Sequence, residues 1–270
     1  MKPLSALPPD EALRLRGLFF DLDDTLLSHG RLTRAAYDAL FGLREGGLKL
    51  AAVTGRPSGW GAVIAGQWPI DGCITENGAV HWLRRGESIV RRDATTDVER
   101  RNRRERLDRL VDRVRAAVPE AKLTDDVAAR RSDVTWDVGE NERLPAERAR
   151  AIVREIEASG ARWSQSSVHL HATFDVDDKA SGTLRFCARE LGEEAGGALS
   201  RFAFVGDSPN DGSCFAAFHT TFGVANVRAS VPRLSVPPRY VAALSMGEGF
   251  AEVAAAILDK RRSRPAARLC

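Results

Sequence analysis

Short continuous apolar runs punctuate this chain: Leu18-Phe19-Phe20, Leu48 to Val53, Gly72 to Thr75 and Phe202 to Val205. Runs of this length, without polar alternation, predict strands buried on both faces of a sheet. Helical spacing fills the gaps between them. Thr33 is placed to cap a helix carrying Ala36, Tyr37, Leu40 and Leu43, and Gly46-Gly47 end it. Pro57 suits the first turn of a helix reaching about Gly66, and a helix from Lys179 to about Leu191 leads into the strand at Phe202. Pro209 opens another helix through Phe218, Thr221 to Ala225 read as a strand, and a helix over Gly249 to Lys260 precedes an Arg-rich tail expected to fray. The lead-in to residue 16 shows no clear element. Strands alternating with helices predict βαβ units and a doubly wound parallel sheet, an α/β fold of Rossmann type.

The pattern changes between Val80 and about Asp177. Helical faces run from Asp97 to Val118, through Leu107, Leu110, Val111 and Val114, and from Pro145 through Ala149, Ile152, Val153 and Ile156. Val134-Trp136-Val138 and Val168-Leu170-Ala172-Phe174 alternate with polar residues, as half-exposed antiparallel strands do. We therefore expect a core of residues 1–79 and 178–270 and an inserted α+β domain over 80–177. Trp82, Trp136 and Trp163 are expected in the core of that insert.

Composition narrows the class. A hydrophobic content of 43% with 29% charged residues is that of a globular chain, and no apolar run reaches the length of a membrane span. Residues 1–10 hold prolines and a lysine instead of an apolar signal core, so a cytoplasmic protein is expected. Cys73, Cys187, Cys214 and Cys270 lack CxxC spacing, which argues against a zinc site or a disulfide framework. The arginines from Arg84 to Arg115 interleave with Asp97, Glu99, Glu105, Asp108 and Asp112, the pattern of a solvated helix with i,i+4 pairs, so no nucleic-acid partner is expected. Only five of the 40 basic residues are lysine, which makes Lys179 a rare choice.

The chemistry gathers where predicted strands end. The first run leads into Asp21-Leu22-Asp23-Asp24-Thr25, and carboxylates so crowded need a cation, a proton or many donors. Thr54-Gly55-Arg56 follows the second strand, and Gly206-Asp207-Ser208-Pro209-Asn210-Asp211 follows the strand at Phe202. Ligands of doubly wound sheets bind outside the carboxyl ends of the strands, so these stretches are expected to converge. Carboxylates with a lysine and a threonine suit a hard divalent cation, Mg2+, beside a phosphate. No calcium loop, GxxxxGK[ST] or GxSxG pattern occurs.

These motifs, in this order, resemble the haloacid dehalogenase superfamily of phosphatases: DxDx[TV] at Asp21 to Thr25, a hydroxyl at Thr54, a lysine at Lys179 and GDxxxD at Gly206 to Asp211. An insert between the second and third motifs resembles the C2 cap. Thr54-Gly55-Arg56 with Glu76-Asn77-Gly78-Ala79 resembles subfamily IIB, the relatives of Cof-type, sucrose and mannosyl-3-phosphoglycerate phosphatases, although Asp24 stands where that branch more often has glycine. The resemblance implies Asp21 as nucleophile, Asp23 as general acid and base, and Thr54 and Lys179 on the phosphoryl group, with Arg56 and Asn210 as further phosphate or substrate contacts. Mg2+ would be held by Asp21, Asp207 and the Asp23 carbonyl, with Asp211 ligating it or orienting its waters. The function implied is hydrolysis of a small phosphorylated metabolite, a sugar phosphate or sugar-phosphoglycerate, by a monomer or homodimer. The alternative is a catalytically silent ligand- or partner-binding protein on the same fold. His169 and His171 share one face of an insert strand, read as a polar sheet face. Asp24 has no assigned role.

Overall fold

A computed structural model describes residues 1–165 and 168–262; Cys270 and the tail past Arg262 lie outside the described residues. In chain order the strands are β1 (Lys2–Pro3), β2 (Gly17–Phe20), a hairpin of β3 (Leu27–Ser28) and β4 (Arg31–Leu32), β5 (Lys49–Val53), β6 (Gly72–Thr75), β7 (Val80–Arg85), β8 (Ser88–Asp93), β9 (Asp133–Asp137), β10 (Arg162–Gln165), β11 (His169–Thr173), β12 (Phe202–Gly206), β13 (Thr220–Gly223) and β14 (Tyr240–Val241). The helices are α1 (Pro9–Arg14), α2 (Arg34–Glu45), α3 (Ser58–Gln67), α4 (Asp97–Ala117), α5 (Ala146–Ala158), α6 (Lys179–Phe186), α7 (Ala195–Arg201), α8 (Gly212–Ala217) and α9 (Met246–Arg262).

Nine strands form one sheet in the order β1-β14-β13-β12-β2-β5-β6-β7-β8. It is parallel as far as β6, and β7 and β8 continue it antiparallel. Alternate residues of its central strands feed opposite layers, as the two-residue side-chain period requires. Leu18, Phe20, Leu50, Ala52, Ala203 and Val205 pack with α2, α3 and α9 on one side. Phe19, Ala51, Val53, Phe202 and Phe204 pack with α6, α7 and α8 on the other. The lead-in is more ordered than its composition suggests. β1 pairs with β14, and buried Glu11 accepts hydrogen bonds from Thr220 Oγ1 (2.7 Å) and Tyr240 Oη (2.8 Å). Among the described residues, no helix is long and apolar enough to cross a membrane.

The expected boundary after residue 79 falls between paired strands. β7 and β8 alternate polar and apolar residues because they extend the core sheet, so the chain leaves the core after Asp93. Trp82 belongs with them; its indole Nε1 donates to Ser58 Oγ (2.9 Å) on α3. The insert has its own sheet, β10-β11-β9, with Trp136, Val134 and Leu170 packed beneath α4 and α5. Of the tryptophans expected in the insert's core, Trp136 is there, while Trp163 is 44% exposed. Where the chain enters and leaves the insert, buried Arg100 bridges Asp93 and Asp175, and Arg103 joins Asp175. Arg100 is thus a buried tie between the two connections, while Arg103 and Arg104 make the expected i,i+4 pairs with Glu99 and Asp108.

Candidate active site

Strand order brings the motifs together. β12, β2 and β5 are neighbours in register, so Asp207, Asp21 and Thr54 leave adjacent carboxyl ends. Lys179 reaches the same place from the first turn of α6. This approach depends on glycine: a Cβ on Gly182 would lie 2.3 Å from the Cα of Gly78, so only glycine lets α6 settle on the turn after β6. Asp178 and Ser181 form a capping box there, which fixes the helix start.

Lys179 Nζ donates to Asp21 Oδ1 and to Asp211 Oδ1, each at 2.7 Å, and all three side chains are buried. Asp211 Oδ2 accepts from the amides of Asp207 (2.9 Å) and Ser208 (3.1 Å). Asp207 accepts from Thr25 Oγ1 (3.0 Å) and Asn226 Nδ2 (2.8 Å). Burial, and then the charges of Asp211 and Asp207, push Asp21 well above the usual carboxylate range against the pull of Lys179. Burial and Asp211 push Asp207 up to about 7. Lys179 is pushed upward by Asp21 and Asp211 although burial opposes its charge. One ammonium among three buried carboxylates leaves an excess of negative charge. Oxygens of Asp21, Asp207 and Asp211 lie within 4.8 Å of one another, a donor set that fits a divalent cation.

Over this floor opens a cleft of about 360 Å³, lined on the core side by Asp21, Asp23, Asp24, Arg56, Asp207 and Asn210. Its ceiling is the polar face of the insert sheet. The β9–β11 register places Asp133, Thr135 and Asp137 beside Thr173, His171 and His169 on one face. His169 and His171 therefore line the cleft, facing the aspartates. His171 Nδ1 lies 3.0 Å from Thr135 Oγ1 and 3.1 Å from Asp133 Oδ2; His169 Nε2 lies 2.7 Å from Glu140 Oε2. Arg130 pairs with Asp126 (3.0 Å) and Asp133 (3.1 Å) and donates to the carbonyl of Gly55 (2.9 Å). Glu76, buried beside the site, accepts from the amides of Ser58 (2.7 Å) and Arg131 (2.9 Å) and from Ser132 Oγ (2.6 Å), which ties insert to core. A larger hollow of about 740 Å³ lies at the amino ends of the strands, among Arg16, Lys49, Asp71 and Phe202. It holds none of the motif residues.

The predicted residues arrive with unequal clarity. Asp21, Lys179, Asp207 and Asp211 form one hydrogen-bonded cluster. Thr54 is buried at the end of β5, its Oγ1 accepting from the Arg56 amide (3.1 Å) with the hydroxyl proton left to donate. Asn210 spends one Nδ2 proton on Asn77 Oδ1 (2.8 Å). Arg56 sits on Asp23, with Nε 2.9 Å from Oδ1 and 3.0 Å from Oδ2, and Nη2 2.5 Å from Oδ1. Asp24 adopts φ 55°, the left-handed conformation that explains why glycine suits this position, and its carbonyl accepts from Asn226 Nδ2 (2.9 Å). Asn226, which links Asp24 to Asp207, belongs to no motif. Only its place shortly after a predicted strand, Thr221 to Ala225, pointed toward the site.

Residues 18–100 match the haloacid dehalogenase-like hydrolase family. No curated protein sequence matches the chain. Among solved structures, a phosphatase of this superfamily from Bacteroides thetaiotaomicron overlays with a TM-score of 0.63 at 18% identity, covering 94% of this chain and 98% of that one. The Synechocystis sucrose-phosphatase, solved with sucrose and phosphate, gives 0.61 at 18% identity over 90% and 98%. A subclass IIB sugar phosphatase gives 0.58 at 18% identity over 89% and 96%. The overlays show that the chain shares the fold of these structures, and the segment over residues 18–100 is similar to the haloacid dehalogenase-like hydrolases.

Proposed function

We propose that the protein is a Mg2+-dependent phosphomonoesterase that transfers a phosphoryl group to Asp21 and then to water. The observation that carries this reading is the gathering of Asp21, Asp207 and Asp211 about Lys179 at adjacent strand ends. In the first step a carboxylate oxygen of Asp21 attacks phosphorus, the bond to the leaving oxygen breaks, and Asp23 gives that oxygen its proton. In the second step water attacks the aspartyl-phosphate, Asp23 takes a proton from it, and Asp21 departs as carboxylate. Lys179 neutralises phosphoryl charge, and the Thr54 hydroxyl and Asn210 are placed to donate to phosphoryl oxygens. Mg2+, held by Asp21, Asp207, Asp211 and the Asp23 carbonyl, would offset the carboxylate excess and the charge of the phosphoryl group.

The ceiling bears on the leaving group. Where the cap lines the cleft, Arg130 and His169 already face Asp126, Asp133 and Glu140, so among the described residues it offers acceptors and shared donors there. That favours a neutral, polyhydroxylated leaving group, a sugar, over a second anion such as a phosphoglycerate. We further propose that the enzyme works in the cytoplasm on a soluble metabolite, as a monomer or homodimer.

Hydrolysis of p-nitrophenyl phosphate with Mg2+, and its loss on adding EDTA or in Asp21→Asn, is the expected outcome. No turnover by folded wild type would leave the silent binding protein as the reading, and undiminished turnover in folded Asp21→Asn would remove Asp21 as the nucleophile.

A further inference from the structure

Resting on the phosphatase reading, we propose that Arg56 is a positioning residue: its guanidinium aims the Asp23 carboxyl at the leaving oxygen, and phosphate binding is not its main task. The Asp23 side chain is 47% exposed at the mouth of the cleft, where a short carboxylate would otherwise sample several rotamers. Two guanidinium nitrogens of Arg56 grip it as a fork, with Nε within 3.0 Å of both oxygens. A planar fork fixes the plane of a carboxylate as well as its position, which a point charge does not do.

Arg56 is itself immobilised. Its guanidinium carbon stands 4.0 Å over the ring of Trp60, one turn along on α3. Its amide is held by Thr54 Oγ1, its carbonyl accepts from the Glu76 amide (3.0 Å), and the carbonyl just before it is held by Arg130 of the cap. The base of the side chain is therefore pinned from the core and from the cap. A cap docked through Arg130 and Gly55 would set the orientation of Asp23 through this one arginine. Aim is what the fork adds in both steps.

The reading is tested by leaving-group chemistry. A nitrophenyl ester departs as a stable anion and needs little protonation, whereas an alkyl ester such as glucose 6-phosphate must receive a proton as its P–O bond breaks. The quantity to compare is kcat/KM for the two, which reports steps through formation of the aspartyl-phosphate. Arg56→Met is expected to depress kcat/KM for the alkyl ester roughly 10- to 100-fold more than for the aryl ester. Arg56→Lys, which keeps the charge and loses the fork and the stacked plane, is expected to behave like Arg56→Met. In an Asp23→Asn background, Arg56→Met should not change the alkyl-to-aryl ratio further. Equal losses on both esters, or rescue by Arg56→Lys, would make Arg56 a phosphate contact and overturn the proposal. A wild-type protein that is folded but turns over neither ester would remove the phosphatase reading and this proposal with it.

Discussion

The floor and the ceiling of the cleft are both rich in charge, and they handle it in opposite ways. On the floor, Asp21, Asp207 and Asp211 share a single lysine, and burial pushes Asp21 and Asp207 up. In the ceiling the basic side chains that line the cleft each meet an acid: Arg130 faces Asp126 and Asp133, His171 faces Asp133, and His169 faces Glu140. Asp126 and Asp133 are held below the usual carboxylate range, since Arg130 outweighs their burial. An unbalanced cluster is costly to keep unless a ligand completes it, whereas a balanced one serves to shape and orient. On the proposed phosphatase reading, the contrast separates the part of the site that would react from the part that would recognise the leaving group.

Perturbing the floor should have the larger effect. Lys179→Met leaves two buried carboxylates without their cation, and we expect it to abolish turnover and to cost about 3–5 kcal/mol of stability in denaturant titration without Mg2+. Undiminished stability would mean that Asp21 and Asp211 do not depend on Lys179 to stay buried. Arg130→Met strikes the ceiling: about 3 kcal/mol of stability is expected to go with the buried pairs, and KM should rise more than kcat falls. A fall in kcat alone would contradict the recognition role.

His81 gives a third case, a buried group with no acid to match it. On β7 against Phe186, it has no partner at Nε2 among the described residues. Burial, then Arg185 and Arg189, lower its pKa to about 3 from an ordinary 6.5. A lowered pKa means that folding favours the neutral ring, so this contribution is full above pH 6.5 and is lost as pH falls toward 3. From pH 6.5 to 5 the loss should be about 2 kcal/mol, and His81→Phe should flatten that part of the stability profile. The smallest effect is expected at Asp24. Asp24→Gly relieves the left-handed backbone, worth about 1 kcal/mol, and should leave kcat unchanged. A destabilised Asp24→Gly would mean that the side chain, not only the carbonyl bonded to Asn226, holds the loop.

The floor was more legible in the sequence than the ceiling, for a physical reason. Asp21, Thr54 and Asp207 each end a run of residues buried on both faces, and parallel strands deliver such ends to one edge. Lys179 was marked by the rarity of lysine in an arginine-rich chain. The ceiling depends on antiparallel register between β9 and β11, and nothing in their alternation says whether the polar face meets solvent or the active site. The same ambiguity hid the true start of the insert, because β7 and β8 alternate as insert strands do yet pair onto β6. The grip of Arg56 on Asp23 and the bridge from Asn226 to Asp207 join residues far apart in sequence through side chains alone. Arg100, read as part of a solvated face, is buried because two acids from the chain's crossings between core and insert converge on it.

The account turns on Asp21 carrying the phosphoryl group. Acid quench during turnover, borohydride reduction of the acyl phosphate and peptide mapping should find homoserine at position 21 and none in Asp21→Asn. Substrate-dependent reduction at another aspartate, or none while turnover proceeds, would contradict it.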